Sequence, residues 1–172
     1  MTALGAGIGF NLLSRAIGDS VRGGQVEHAG KLPYYRYLDR AIKANTQPGR
    51  GGSATVFYCS FDPQIETLLM LKSDKVSDEV KIKHMDYALN YNKYLMARAQ
   101  KGIPLTLMSL KDAPEVYEAF AGKSLLNFRK VYEAAEKRLK GNPQISGAAL
   151  LVKWVEQGVE TGRVYGMDIH EV

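Results

Sequence analysis

The chain has 172 residues, of which 45% are hydrophobic and 24% are charged, and its formal net charge is +5 at pH 7. This length fits one domain with its own core, and the composition is ordinary for a soluble globular protein. No run approaches the roughly 18 consecutive apolar residues of a membrane helix, and residues 1–10 lack the segments of a signal peptide, so the expected location is the cytoplasm.

The positive charge suits polyphosphate ligands or nucleic acid, but the lysines and arginines are scattered and mixed with carboxylates. We therefore expect most of them to be solvated. No zinc-finger, RNA-recognition or helix-turn-helix signature accompanies them, so a basic nucleic-acid-binding domain is the least favoured interpretation.

The cysteine content also excludes several classes of site. Cys59 is the single cysteine, which rules out an intramolecular disulfide, a paired redox motif and a cysteine-rich zinc cage. Its apolar neighbours Phe57, Tyr58 and Phe61 favour a packed, inert thiol.

The first half of the chain predicts two strands, each associated with a loop, around one helix. Residues 6–13 are typical of a short buried strand, and residues 14–24 form a loop that ends in Arg-Gly-Gly. Residues 31–45 carry apolar side chains at three- and four-residue steps, as a helix does. Residues 47–55 form the second loop, which runs into an aromatic and β-branched strand at 54–61.

The two loops share a composition that suits phosphate. Each has an arginine followed by two glycines, Arg22 in the first loop and Arg50 in the second. Glycine lets main-chain amides approach a ligand closely, and a guanidinium group pairs with phosphate or with a base edge. Because one helix-length segment separates the loops, we expect them to converge on one anion; the alternative for each is a plain turn.

The second half of the chain alternates helices with short strands. The predicted elements are a short helix from Asp62 to residue 71, an exposed turn at 72–80, an extended start to 81–90, a helix at 91–100, a strand at 105–110, helices at 114–120, 124–139 and 146–162, and a strand from residue 163. Ser124 is the expected cap of the longer helix, and Trp154 is an expected core anchor.

This alternation predicts an α/β fold with mainly parallel strands and right-handed crossover helices, in a single domain that spans residues 1–172. The sequence His84-Met85-Asp86 invites a metal or acid–base interpretation. Two candidate ligands without a third make a poor metal site, so we expect a structural pair and assign no metal to this chain.

Several stretches together resemble the central part of the large, catalytic subunit of class I ribonucleotide reductase. They occur in the family's order across essentially the whole chain. The matching stretches are 6–9, 21–24, 28–30 with Pro33 and Tyr35, 50–55 with Phe57 and Tyr58, 69–72, 84–87, 92–93 and 161–165. The resemblance implies a part of the family's ten-stranded α/β barrel, and within it the specificity site, where a deoxynucleoside triphosphate or ATP binds at the subunit interface as allosteric effector.

The resemblance also implies roles for residues of the two effector loops, at about 14–25 and 45–54. In the first loop, Arg22 matches a residue that holds effector phosphates, and Arg15 is the second choice. Tyr34, from the helix that packs across the dimer interface, falls where the family places an aromatic ring against the effector base; the alternative is an ordinary surface aromatic.

The second loop matches the family segment that bridges the effector and the substrate base. Gln47, Arg50, Gly51, Gly52 and Ser53 are the expected effector contacts, and Arg50 and Gly51 are also the expected contacts to the substrate base. This loop is one residue shorter than the family's, and a proline, Pro48, stands in its glycine run. The details of base discrimination are therefore not transferred.

The catalytic groups of the family do not fall within this chain. The family uses a radical-forming cysteine, a redox cysteine pair, and an asparagine and glutamate beside the radical site, whereas Cys59 lies where the family has no functional cysteine. The leading hypothesis is thus a fragment of a split reductase subunit, such as a phage gene interrupted by a mobile element, located in the host cytoplasm if so encoded. Its expected partners are other fragments of the large subunit, a second large subunit and a separate radical-generating small subunit. The alternative is a non-catalytic nucleotide-binding regulatory module derived from a reductase.

Overall fold

The computed structural model describes residues 6–45 and 51–170. In chain order the elements are β1 (Gly7–Asn11), β2 (Ile17–Val21), β3 (Val26–Ala29), α1 (Leu32–Ala44), β4 (Ser53–Cys59), α2 (Ile65–Leu69), β5 (Asp86–Tyr91), α3 (Lys93–Gln100), β6 (Leu105–Thr106), α4 (Pro114–Ala121), α5 (Leu125–Arg138), β7 (Gln144–Ile145), α6 (Gly147–Thr161) and β8 (Val164–Asp168). None of the described helices is long and apolar enough to cross a membrane.

Four of these strands form a parallel sheet in the order β1-β4-β5-β8. Gly7 pairs with Ser53, Thr55 with Asp86, and Tyr87 with Val164. The amino ends of the four strands therefore lie together at one end of the sheet, and their carboxyl ends lie at the other. Each connection between neighbouring strands contains at least one helix, as parallel pairing requires. This arrangement confirms the α/β class and the mainly parallel strands.

Helices cover one face of this sheet. Tyr35 of α1 packs against Tyr87 of β5 with ring centroids 6.1 Å apart, and Trp154 of α6 lies 5.8 Å from Tyr91. Tyr87 and Tyr91 point to the same side because side chains alternate along a strand. α1 and α6 thus lie on the same face of the sheet, as the crossover helices of a barrel do when they form a ring outside the strands.

The opposite face is less covered. Phe57, Ala88 and Tyr165 are register partners on that face; Phe57 is half-buried and Tyr165 is 47% exposed. Among the described residues, β1 and β8 also each have a neighbouring strand on one side only. At the carboxyl ends of the strands, Cys59 and Asn90 on this face are buried, and Tyr117 and Phe120 of α4 line a cavity with them. The sheet therefore has two open edges and one partly open face, which is called the open face below.

The helix ends follow the expected capping chemistry. Ser124 Oγ accepts a hydrogen bond from Asn127 N at the start of α5, and Ser146 Oγ accepts one from Ala149 N at the start of α6. α6 ends at Gly162, whose φ of 66° is favourable only for glycine and a few polar residues. These residues mark the starts of α5 and α6 and the end of α6 where the sequence predicts them.

An aromatic cluster joins the sheet to α4 and α5. Phe61, completely buried just after β4, lies 5.0 Å from both Tyr117 and Phe120, 6.1 Å from Phe128 and 6.0 Å from Tyr132. The near-perpendicular contacts with Tyr117, Phe120 and Tyr132 are the geometry that aromatic quadrupoles favour.

Four sequence expectations differ from the structure. The strand expected to be buried at 6–13 is β1, whose residues are exposed or half-buried because β1 lies at the edge of the sheet. The segment at 14–24, expected to be a loop, contains the strand β2, which pairs antiparallel with β3. The strand expected at 105–110 is paired only at Leu105–Thr106, because the chain then turns toward α4. Within the turn at 72–80, Lys72 and Ser73 are buried rather than exposed, since both bind groups of neighbouring segments.

Candidate functional site

The first arginine loop is a β-hairpin with Arg22 at its tip. β2 and β3 are joined by a short turn, Arg22–Gly24, in which Gly23 and Gly24 have φ values of 67° and 92°. Arg22 itself has a φ of 51°, a conformation that costs a non-glycine residue roughly 1–2 kcal/mol. Its side chain is exposed, and the structure gives it no ion pair with any described residue. The hairpin therefore presents an uncompensated guanidinium group to solvent.

Arg15 lies lower on the same hairpin and is already bound. Its Nη1 donates to the Ser20 carbonyl oxygen over 3.3 Å, which ties the segment before β2 to the end of that strand. Asp19 of β2 is buried, and its carboxylate accepts a hydrogen bond from Ala16 N at 2.8 Å. Arg15 thus has a structural contact that Arg22 lacks.

The base of the hairpin is fixed to the segment that follows β4. Gln64 Oε1 accepts main-chain hydrogen bonds from Ile17 N at 3.3 Å and from Lys31 N at 3.1 Å, one from each end of the hairpin. The Lys31 ammonium donates to the Asp62 carboxylate in a pair with side-chain exposures of 4% and 1%. Burial lowers the pKa of Lys31 to about 8, so the ammonium group stays mostly protonated at neutral pH. These contacts make the hairpin base rigid.

Tyr34 stands at the first turn of α1, next to the hairpin. Its ring is 46% exposed and stacks on the His28 imidazole of β3, with centroids 5.7 Å apart and planes 5° from parallel. The Tyr34 hydroxyl also lies 3.4 Å from His28 Nε2. An aromatic surface built from two rings is therefore available beside the hairpin.

The second loop is only partly described. Gln47 and Arg50 lie outside the described residues. Gly51 is exposed, and a Cβ atom added to it would meet nothing within 4 Å. Gly52 is half-buried, and Ser53 opens β4 opposite Gly7 of β1.

The two loops lie at opposite ends of the strands. The hairpin follows the carboxyl end of β1 and is bound to Gln64, beyond the carboxyl end of β4, whereas Gly51–Ser53 leads into the amino end of β4. α1 runs from the carboxyl ends of the strands to their amino ends. It begins beside Lys31, and its Asp39 lies 3.4 Å from His84, which precedes β5. Its 13 residues span about 20 Å. Within one copy of the chain, the described parts of the two loops lie at opposite ends of α1.

His84 and Asp86, expected to act as a pair, have separate partners. His84 faces Asp39, while Asp86 accepts from Lys72 Nζ at 3.0 Å and lies 3.5 Å from Arg163 Nη1. Lys72 Nζ also donates to the carbonyl oxygens of Lys83 and Met85. Desolvation lowers the pKa of Lys72, and its hydrogen bond to Asp86 opposes that shift. The contacts of Lys72, Asp86 and Arg163 fix the amino end of β5, which gives these residues a structural role.

Two features escaped the sequence analysis. On the open sheet face, Asn90 Nδ2 donates to Asn11 Oδ1 at 3.2 Å beside a cavity of about 230 Å³, at the carboxyl ends of the strands. Between α1 and the segment 78–84 lies a larger cleft of about 380 Å³, lined mostly by cationic side chains. Neither has a sequence motif, because each is assembled from residues on separate elements.

Comparison with known proteins agrees with the architecture. Residues 1–172 match the family model described as ribonucleotide reductase, barrel domain. The chain is 36% identical over 163 residues to the ribonucleoside-diphosphate reductase 1 subunit alpha of Escherichia coli K12, which covers 93% of this chain and 21% of that protein. It is 35% identical over 167 residues to the subunit alpha of Buchnera aphidicola from Acyrthosiphon pisum, covering 95% of this chain and 22% of the relative.

A phage protein is similar as well. The ribonucleoside-diphosphate reductase subunit alpha of Enterobacteria phage T4 is 39% identical over 135 residues, which is 77% of this chain and 18% of that protein. The chain thus spans about a fifth of the length of these relatives. With a matching family model over its full length and a parallel sheet covered by helices on one face, the chain belongs to the ribonucleotide reductase family, as a region of the barrel domain of the large subunit.

Proposed function

We propose that this chain supplies the nucleotide specificity site and part of the barrel wall of a ribonucleotide reductase large subunit. The effector is a deoxynucleoside triphosphate or ATP, and the reaction served is the reduction of ribonucleotides to deoxyribonucleotides. The observation that carries the proposal is the hairpin, which presents the unpaired Arg22 on a rigid base beside an aromatic surface.

The hairpin is suited to hold phosphates. Arg22 is exposed and forms no ion pair with the residues that the structure describes, and the adjacent Gly23 and Gly24 leave the main chain open to a ligand. The rigid base formed by Gln64, Lys31 and Asp62 means that little conformational entropy is lost when an anion binds. Arg15 is expected to contribute less, because its guanidinium group already binds the Ser20 carbonyl oxygen.

The separation of the two loops supports a site made by two copies of the chain. The outward face of α1 has an apolar flank that carries Pro33, Tyr34, Tyr37, Ala41 and Ala44, of which Tyr37 is 71% exposed. If two copies pack these faces antiparallel about a two-fold axis, the amino end of one α1 lies beside the carboxyl end of the other. The hairpin of one copy then approaches the second loop of its partner, and one effector contacts both.

Mixing two variants tests this arrangement. Arg22→Ala and Arg50→Ala chains are each expected to lose effector binding when assayed alone. In a mixed dimer, one of the two sites combines the wild-type Arg22 of the Arg50→Ala copy with the wild-type Arg50 of the Arg22→Ala copy. The other site carries both substitutions. An equal mixture that exchanges freely should therefore recover about a quarter of the wild-type sites, measured by equilibrium dialysis of labelled dNTPs and ATP.

Three outcomes are informative. Recovery in the mixture supports a shared site. Loss in both single variants without recovery supports a site within one copy and overturns the two-copy arrangement. Full binding by the Arg22→Ala chain refutes the effector assignment of the hairpin.

The catalytic role is proposed only within an assembly. The chain carries one cysteine, and Cys59 is buried with its pKa raised to about 12 by burial, so it is a poor thiolate source. The open edges of β1 and β8 and the open sheet face provide surfaces where further barrel strands can dock. Companion polypeptides would supply those strands and the reactive cysteines, a second large subunit would complete the dimer, and a separate small subunit would supply the radical.

Reconstitution separates this role from that of a regulatory module. The chain is combined with polypeptides that carry the remaining strands and cysteines, and deoxyribonucleotide formation is measured. Turnover whose base preference follows the added effector supports the proposal. Effector binding without turnover in any such combination favours the non-catalytic module.

A further inference from the structure

The cleft between α1 and the segment 78–84 is a second feature with the chemistry of an anion site. It has a volume of about 380 Å³, within the usual range for small-ligand pockets. Five cationic side chains line it, against two carboxylates. The cations are Arg36, Arg40, Lys43, Lys81 and Lys83.

The arginines of this cleft are exposed and unpaired within the described parts of the chain. Arg36 and Arg40 lie four residues apart on α1, so they project from the same side of the helix. No carboxylate among residues 6–45 and 51–170 is within ion-pairing distance of either guanidinium group. Like charges at this spacing repel each other, and a bound anion removes that repulsion.

The opposite wall is different, because its lysines are held. Lys81 lies 3.4 Å from Asp78 and 3.5 Å from Asp74, and Lys83 also pairs with Asp74. These pairs hold the Lys81 and Lys83 side chains in place but leave the cleft with a net positive charge. The ligand contacts are therefore expected mainly from the α1 side.

The inner wall carries a buried acid beside the only histidine of the cleft. Asp39 has a side-chain exposure of 9%, and its Oδ1 makes no hydrogen bond with any described residue. His84 Nδ1 lies 3.4 Å from that oxygen, while 56% of the imidazole surface is exposed. The imidazole thus lies beside Asp39 at the cleft, where a ligand would change its surroundings.

We propose that this cleft binds the polyphosphate group of a nucleotide-class ligand, with Arg36 and Arg40 as the phosphate-binding residues. Guanidinium groups bind phosphate through paired, charge-assisted hydrogen bonds, and two of them one helical turn apart can contact successive phosphates. The cleft shares no residue with the hairpin or with the described part of the second loop, and it lies on a different flank of α1 from Tyr34 and Tyr37. The inference therefore stands without the proposed effector site.

The three histidines allow each site to be observed separately. His28 stacks on Tyr34 beside the hairpin, His84 lines the cleft, and His170 lies against Phe120 and Phe128 in the aromatic cluster. The 172-residue chain is produced with isotope-labelled histidine and is used with any polypeptides that co-purify. It is titrated with ATP, tripolyphosphate or adenosine while the imidazole NMR signals are followed. ATP and tripolyphosphate are expected to shift the His84 signals, and adenosine is not.

The variants make the assignment specific. The double substitution Arg36→Ala, Arg40→Ala should raise the Kd read from His84 about tenfold or more and leave the His28 response to ATP unchanged. Lys123→Ala, Lys130→Ala removes the same charge from exposed positions elsewhere and should leave the His84 titration as in the wild type. The proposal is overturned if His84 does not respond to ATP, if adenosine shifts it equally, or if both double variants weaken binding alike. It is also overturned if a short DNA duplex shifts His84 at concentrations where ATP does not.

Discussion

Lys31 and Asp62 form an ion pair that is almost completely shielded from water, with side-chain exposures of 4% and 1%. The pair joins the start of α1 to the segment after β4, at the point where Gln64 binds both ends of the β2–β3 hairpin. A buried pair gains little over a well-packed apolar pair, but a single buried charge is costly. Its value here is positional, since it fixes the hairpin that carries Arg22.

Removing one partner of this pair should therefore destabilise the chain strongly. Asp62→Ala is expected to cost about 3–5 kcal/mol of unfolding free energy, because the Lys31 ammonium group loses its counter-ion. The double variant Lys31→Met, Asp62→Leu should recover most of that loss. Urea unfolding followed by Trp154 fluorescence measures both; equal stability of the single and double variants would contradict the argument.

The outward face of α1 should mediate self-association. Tyr37→Glu places a charge on a ring position that is 71% exposed, and it is expected to weaken dimerisation at least about tenfold. Val159→Glu is the matched control, because Val159 is 82% exposed on the unrelated helix α6. Sedimentation velocity over a concentration series gives the two dissociation constants. A dimer that tolerates Tyr37→Glu but not Val159→Glu would place the interface elsewhere.

The contact between α3 and α6 depends on a glycine. A Cβ atom at Gly147 would lie 2.7 Å from Ala99 Cβ and 2.8 Å from its Cα, too close for either helix to accept without moving. Gly147→Ala is expected to cost about 1–3 kcal/mol, measured by thermal or urea unfolding. Gly141→Ala is the control, since a Cβ there meets nothing within 4 Å. A loss of similar size in both variants would show that the effect comes from helix or turn propensity.

Cys59 should react only after unfolding. Burial raises the pKa of its thiol to about 12, so little thiolate exists in the folded chain at pH 8. Alkylation by iodoacetamide is expected to be at least about a hundredfold slower in buffer than in urea. Rapid labelling of the folded chain would show that the carboxyl end of β4 opens readily.

The same thiol makes the folded state weaker in alkali. Between the ordinary pKa of 9.0 and about 12, the folded state retains a proton that the unfolded state has lost. Stability from this group is therefore fully present below pH 9 and decreases as the pH rises, by up to about 1.4 kcal/mol per pH unit. Cys59→Ala should show a shallower loss between pH 9 and 11 in urea unfolding; identical slopes would contradict this assignment.

Much of the fold was predictable because local rules and tertiary packing agree. The helices at 32–44, 114–121, 125–138 and 147–161 follow apolar periodicity and capping residues, and the structure confirms them. The first β-hairpin was missed because Ile17 and Val26 leave its strands mostly exposed, so no buried alternation marks them. Its base is fixed by Gln64 and by the pairing of Lys31 with Asp62, and Gln64 and Asp62 are distant from the hairpin in the sequence.

The sequence by itself determined the α/β class and the membership of a reductase barrel, because these depend on residue type and order along the chain; the effector residues that it predicts remain a prediction. The tertiary structure decided where those residues lie: the hairpin and the start of β4 at opposite ends of α1, His84 with Asp39 rather than Asp86, and five cations from two segments in one cleft. The physical reason is that a parallel sheet with crossover helices brings together residues that are distant in sequence and separates the two ends of each connecting helix. Local patterns carry no record of that geometry.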